Sequence, residues 1–159
     1  MRTLLTAITT AFVSTTMLAT ALVAAPKAME GWQVHPTNYS YADLIDRVKA
    51  ATTANGMGVV TQAGPTGAAK NRGVIIPGNR VIGVFNNKFA VEMLRASENA
   101  MIEAPVRFYV TEQPDGTAVL SYKTPSHVFA PYAADAPKVS EIATRLDAKF
   151  RDIAAAAIK

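Results

Sequence analysis

The clearest periodicity in the chain lies near its C-terminal end. Between residues 138 and 157, apolar residues recur three and four positions apart, and most of the charged residues fall between them. This spacing places the apolar residues on one stripe of a helix and predicts that the helix packs on a sheet. The stripe consists of Val139, Ile142, Ala143, Leu146, Phe150, Ile153 and Ala157.

Alternation by two predicts a β-hairpin in the middle of the chain. Apolar and polar residues alternate over 106–111, and Pro-Asp-Gly at 114–116 forms a turn sequence before a second strand over 117–122. One face of this hairpin is apolar. The other face is either solvated or lines a pocket, and it carries Arg107, Tyr109 and Thr111.

Residues 32–62 have the pattern of a strand, a helix and a second strand. A short strand at 32–35 is limited by Pro36, and Ser40 with Asp43 three residues later resembles a capping box that starts a helix. Asn55-Gly56 ends that helix, because both residue types tolerate the left-handed conformation. The β-branched stretch 57–62 predicts the second strand.

One strand, one short helix and two loops complete the prediction. We expect a long loop over 64–78, a buried strand over 80–86, and a short helix over 88–95 with Asn87 as its cap. A second loop, with three prolines, runs from 123 to 137. With no internal repeat or linker, these elements predict a single two-layer α+β domain in which helices pack on an antiparallel sheet.

The N-terminus has the pattern of a secretory signal. No charged residue occurs in the 22-residue stretch Leu4–Ala25, and Ala19-Thr20-Ala21 supplies the small-x-small cleavage pattern. We predict a signal peptide over 1–21, with cleavage as late as 25 as an alternative. Residues 22–38 then form a tether and the first strand, and 39–159 form the rest of the domain. This predicts a periplasmic or secreted protein with no stable membrane insertion after cleavage. The alternative is an uncleaved inner-membrane anchor, since about 20 apolar residues span a bilayer.

Composition narrows the candidate functions. The 159 residues include no cysteine, which excludes disulfides, thiolate metal sites and a cysteine nucleophile. The net charge of +4 is spread along the chain without a basic run, which argues against a nucleic-acid partner. Alanine accounts for 29 residues, so the hydrophobic fraction of 50% overstates the bulky material available for a core.

Two candidate motifs do not fit known chemistry. The loop over 64–70 is rich in glycine and ends in Lys70, but it lacks the spacing and the Ser/Thr of a phosphate loop. The two histidines, His35 and His127, form no HxH or HxxxH pair. We therefore predict neither a metal site nor a cofactor.

One constellation remains as a ligand-site hypothesis. The polar tips of two tyrosines, an arginine and a histidine fall on or just after the hairpin and could line a pocket floored by aromatic rings. The aromatic residues of this region are more often core than ligand contacts. The candidate ligand-binding residues are Arg107, Tyr109, Tyr122 and His127.

The order of the segments resembles a known family. A helix ending in Asn-Gly, a strand, a Gly-rich loop, and then VIIPGNRVIGVFNNKFAVEML and EAPVRFYVTEQPDGTAVLSYKTPS resemble the domain of unknown function 302 family over residues 39–153. The resemblance implies a β-α-β4-α domain that self-associates as a dimer. The best matching residues are Pro77, Val84, Phe85, Asn86, Met93, Leu94, Pro105, Val110, Asp115, Gly116, Tyr122 and Pro125.

The resemblance carries no catalytic residue with it. Many members of that family place an acidic residue and a histidine in the loop after the second strand, whereas this chain has neither over 62–67. Because those matching residues are mostly turn and core positions, they identify a fold rather than an activity.

Three functions remain open at this point. The first is a non-catalytic exported domain that binds a small or amphipathic molecule or assists an envelope process. The second is a homodimer that acts by protein contact through a sheet edge or a helix face. The third is an enzyme of unknown reaction that uses Arg107, Tyr122 or His127.

Overall fold

A five-stranded antiparallel sheet organises the domain. The structure is a computed structural model that describes residues 26–134 and 136–159, so the predicted signal peptide lies outside the described residues. The strands lie side by side in the order β1-β5-β4-β3-β2. Their bounds are β1 Trp32–Ser40, β2 Gly58–Ala63, β3 Asn79–Phe85, β4 Val106–Glu112 and β5 Thr117–Lys123.

Helices pack on one face of this sheet, so the predicted two-layer α+β architecture is confirmed. The longest is the C-terminal helix, which lies against the first, third and fourth helices. Every residue of the stripe predicted for it is buried. The helices are α1 Tyr41–Ala54, α2 Thr66–Asn71, α3 Asn87–Ala96, α4 Pro125–Phe129 and α5 Pro137–Ala157.

The core lies between the sheet and the helices. Phe108 of β4 stacks on Phe150 of α5 with ring centroids 4.6 Å apart, and Tyr122 of β5 meets the edge of Phe108 at 5.2 Å. Leu44 and Val48 of α1 are fully buried in the same cluster. Burial of these side chains holds α1 and α5 on the sheet, because apolar area removed from water is the main favourable contribution.

Local signals set the helix ends, with one correction. Ser40 is the N-cap of α1 and accepts a hydrogen bond from the Asp43 backbone N–H, as the capping-box pattern predicts. The cap of α3 is Asn86 rather than the predicted Asn87. Asn86 has extended backbone and accepts from two backbone N–H groups, which is what a cap residue requires. The prediction of Asn87 was therefore wrong by one residue.

Three further boundaries differ from the prediction. β1 continues past Pro36 to Ser40 because it is an edge strand, where the missing N–H of proline costs no ladder hydrogen bond. The loop predicted over 64–78 contains α2, and the proline-rich loop after Tyr122 contains α4 and a 3₁₀ turn, Ala130–Tyr132. Pro125 lies in the first turn of α4, and proline fits the start of a helix, so the proline-rich segment contains a helix here.

Candidate functional site

The face of the sheet that points away from α1 and α5, here called the outer face, carries the candidate site. On β4 the even-numbered residues Val106 and Phe108 belong to the core, so the odd-numbered residues point to the outer face. Pairing of Tyr109 with Val81 and Ser121 carries the same face onto β3 and β5. Trp32 pairs with Lys123 and so brings β1 onto it.

A cleft of about 450 Å³ opens on the outer face. This volume lies within the range of small-molecule sites. Apolar and aromatic side chains supply most of its wall, and Val128 of α4 also lines it. The lining residues are Trp32, Asn79, Val81, Val106, Arg107, Tyr109, Tyr122, Lys123 and Val128.

The polar groups of the cleft favour an anion. Arg107 and Lys123 are both exposed, and in the described residues neither forms an ion pair. No carboxylate is among the lining residues. The Lys123 ammonium lies 5.9 Å from the centre of the Trp32 ring, so cation and aromatic face stand side by side. The Asn79 side-chain N–H donates to the Tyr109 hydroxyl, which fixes that ring in the cleft wall.

Two of the four predicted site residues meet in this cleft, and the other two are placed differently. Arg107 and Tyr109 lie on the outer face as the alternation predicts. Tyr122 borders the cleft, but it is only 5% exposed and its ring lies in the core beside Phe108 and Phe150. Burial raises the pKa of the Tyr122 phenol. Its ring therefore has a packing role.

His127 lies outside the lining of the cleft. It sits on α4, exposed, and its ring packs over Gly31 at the entry to β1. The other histidine, His35, stacks on Tyr122 with ring centroids 6.0 Å apart, and its Nε2 is buried with no partner in the described residues. Burial lowers the pKa of His35. Within 26–134 and 136–159, no group of three or more His, Asp or Glu side chains is arranged to hold a metal ion.

A second cavity lies between α3, α5 and the sheet, and it is too small for a ligand. Its lining is almost entirely apolar, with Met57, Met93 and Phe150 among the residues, and it holds only about 30 Å³. A space of this size admits no more than a water-sized molecule or two. An amphipathic ligand therefore fits the outer-face cleft and not this cavity.

Comparison with known proteins agrees with this fold. The family described as domain of unknown function DUF302 matches residues 33–157. The chain belongs to the DUF302 family. A solved structure, that of an uncharacterized conserved DUF302 protein from Bacillus stearothermophilus, is similar with a TM-score of 0.70 and 17% sequence identity. The similarity covers 82% of this chain and 100% of that one. No curated protein matches.

In many DUF302 relatives, the loop after the second strand was expected to carry an acidic residue and a histidine. In this chain, that loop runs from β2 into α2. Gln62 and Ala63 end the strand, and Pro65 precedes the helix. Gly64 lies so close to the backbone of Asn79 that a Cβ there would be 3.1 Å from the Asn79 carbonyl carbon. The backbones of Gly64 and Asn79 therefore approach closely at this corner of the domain.

Sequence reasoning missed three polar or aromatic members of the cleft in this DUF302 protein, Trp32, Asn79 and Lys123. Each lies at an end of its strand, and each reaches the cleft through strand pairing: Trp32 with Lys123, and Asn79 with Thr111. Lys123 could have been found, because it continues the odd-numbered alternation of β5. Trp32 and Asn79 could not, since their placement depends on the order of strands in the sheet.

Proposed function

We propose that this exported domain binds a small amphipathic anion in the outer-face cleft, without catalysing a reaction. The observation that carries the proposal is the combination of two cations, Arg107 and Lys123, that form no ion pair among the described residues, with an aromatic and aliphatic wall and no lining carboxylate. An apolar tail would pack along Trp32 and Val81, and its anionic head would pair with Arg107.

Several features support binding over catalysis. An acid, base or nucleophile must lie within hydrogen-bond reach of its partner. Tyr122 borders the cleft with its ring packed in the core, and His127 lies outside the cleft lining, so Arg107, Tyr122 and His127 do not all line one pocket. The polar pair that does lie in the cleft, Asn79 and Tyr109, is engaged in its own hydrogen bond.

The chain carries its own reporter for this test. Trp32 is the single tryptophan of the sequence and lines the cleft, so its fluorescence responds to a bound molecule there. Residues 26–159 would be titrated with decanoate and, at equal concentrations, with decyltrimethylammonium. We expect a saturable change with decanoate and none with the cation. No saturation with decanoate, or an equal response to the cation, would contradict the proposal.

Matched variants locate the binding. Arg107→Gln and Lys123→Gln should each weaken decanoate binding about tenfold, which corresponds to ~1.4 kcal/mol for one charged hydrogen bond. The control is Arg151→Gln, which removes an exposed cation from α5, on the helix side of the sheet. It should bind decanoate like the wild type. Equal losses in all three variants would indicate a general charge effect.

The homodimer stays a second candidate, and the sheet edges support it less. β1, one edge strand, contains Pro36 and an irregular register before Ser40; β2, the other, is irregular between Val59 and Thr61. Prolines and bulges on edge strands oppose pairing with another sheet. Light scattering over a range of concentrations, with and without decanoate, separates the two candidates. A stable dimer that does not bind decanoate would favour the homodimer.

A further inference from the structure

Two exposed aliphatic residues, followed by a half-buried third, lie between α2 and β3. Ile75 is 84% exposed and Val74 is 52% exposed, and Ile76 follows them. Isolated apolar residues are common on protein surfaces, but a run of adjacent ones marks a contact site or an aggregation hazard. The loop Val74–Ile76, here called the aliphatic loop, is therefore a candidate contact site.

The charges beside the aliphatic loop have one sign. Lys70 and Arg72 come immediately before it, and both are exposed. From residue 64 to residue 80 the chain contains three cations and no acidic residue. The carboxylates of the neighbouring hairpin are engaged locally: Glu112 accepts from the Gly78 N–H, and Asp115 accepts from Thr117. The surface thus combines exposed aliphatic chains with positive charges that form no ion pair within the part of the chain that the structure describes.

The chain enters the domain at this same end. Pro26, the first described residue, shares a surface depression with Ile76 and Pro77. The uncharged stretch Leu4–Ala25 directly precedes Pro26, and its 22 residues match the length that spans a bilayer. In the alternative in which that stretch stays uncleaved as an inner-membrane anchor, it would hold the aliphatic loop close to the same membrane.

We propose that this end of the domain, formed by Lys70, Arg72 and the aliphatic loop, docks on a bilayer rich in anionic phospholipid. Aliphatic side chains enter the boundary between headgroups and acyl chains, and lysine and arginine pair with the anionic headgroups. A second copy of the chain fits this surface less well, because a symmetric contact would bring the cations of both copies together.

Vesicle flotation tests this proposal on residues 26–159. This part contains residues 33–157, which match the DUF302 family, and every strand and helix of the described structure. Vesicles of phosphatidylcholine and phosphatidylglycerol at a 3:1 ratio would be compared with pure phosphatidylcholine. We expect flotation with the anionic vesicles, loss of that flotation at high salt, and none with the neutral vesicles. Absence of flotation with anionic vesicles would overturn the proposal.

An exposed isoleucine at the other end of β4 provides a matched control. Ile102 is 78% exposed and lies in the 3₁₀ turn before β4, whereas the aliphatic loop lies beside the end of β4. Ile75→Asp should reduce the bound fraction at least tenfold, and Ile102→Asp should leave it unchanged, with both variants unfolding at the wild-type temperature. Lys70→Gln combined with Arg72→Gln should remove the preference for anionic vesicles.

Two results would count against the membrane as the partner. Equal loss of flotation in the Ile75 and Ile102 variants would show a nonspecific effect of added charge. If light scattering showed instead a dimer that Ile75→Asp converts to a monomer, with flotation unaffected, the aliphatic loop would be a contact between copies of this chain.

Discussion

Gly31 is the residue at which the N-terminal segment turns into β1. Its φ of +72° lies in the left-handed region, and its carbonyl accepts a hydrogen bond from the Thr124 N–H. A Cβ at this position would lie 2.6 Å from the Cβ of His127, so a small rotation of the imidazole would not relieve the clash. Gly31 thus joins β1 to α4 by close approach, which explains where His127 packs.

Gly31→Ala should therefore destabilise the domain through two separate effects. The left-handed backbone costs about 1–2 kcal/mol and the steric clash about 1–3 kcal/mol. Gly116→Ala is the control, because Gly116 also has positive φ, +83°, but nothing lies within 4 Å of its Cβ position. The free energy of unfolding of the Gly116→Ala variant should fall only by the cost of the left-handed backbone, about 1–2 kcal/mol. Urea unfolding measures both, and equal losses would show that the contact with His127 is unimportant.

Asn86 fixes the start of α3. Its side-chain oxygen accepts from the N–H groups of Lys88 and Phe89, and its side-chain nitrogen donates to the Gly56 carbonyl. The sequence offers two adjacent asparagines, and the pattern alone favoured the wrong one. Which of them caps depends on where β3 ends. Its last residue, Phe85, pairs with Gly58 of β2, and a linear pattern does not show this pairing.

Asn86→Ala should cost about 1–2 kcal/mol, because it removes the cap and the bond to the preceding turn. Asn87→Ala should change the free energy of unfolding by less than about 0.5 kcal/mol, since Asn87 is exposed and already helical. Chemical unfolding of the two variants, differing by one position, distinguishes the caps. A larger loss for Asn87 would contradict the assignment.

At the scale of elements, an ion pair joins α3 to α5. Arg145 donates to both carboxylate oxygens of Glu92, and its guanidinium lies 4.9 Å from the centre of the Phe89 ring. The hydrogen bonds from Arg145 hold the pKa of Glu92 below its ordinary value of 4.5. Because this pair is exposed to solvent, its contribution to stability is small.

The sign of its pH dependence follows from that lowered pKa. Stabilisation by Glu92 is complete above its unfolded pKa and is lost as pH falls through the lower folded pKa. Glu92→Gln should lower the unfolding temperature slightly at pH 7, and the difference from wild type should shrink as pH falls below about 4. Thermal unfolding across this range measures it. A difference that does not change with pH would refute the role of the ion pair.

Elements with strong periodicity could be predicted, and short elements with weak periodicity could not. The stripe of α5 and the alternation of β4 each follow from burial of one face, which a sequence shows directly. α2 has six residues and contains Gly67, and α4 has five and begins at Pro125. Helices this short rest on tertiary contacts rather than on their own sequence pattern, so they read as loops.

For the molecule as a whole, the fold class could be predicted but the complete site could not. Arg107 and Tyr109 could be assigned to one face from a single strand. The remainder of the cleft depends on the order β1-β5-β4-β3-β2, which brings residue 32 beside residue 123. Within residues 26–134 and 136–159, none of the helices combines the length and apolar character needed to cross a membrane. The export signal predicted from the sequence and the cleft together lead to the proposal of an exported binding protein.

The central claim is that the outer-face cleft binds amphipathic anions. Its most direct test is a map of amide and indole chemical-shift changes in residues 26–159 during titration with decanoate. We expect the largest chemical-shift changes at the Trp32 indole and at the amides of Val81, Arg107, Tyr109 and Lys123, with little change along α5. Changes concentrated on α5 or on the aliphatic loop, or no saturable change anywhere, would contradict it.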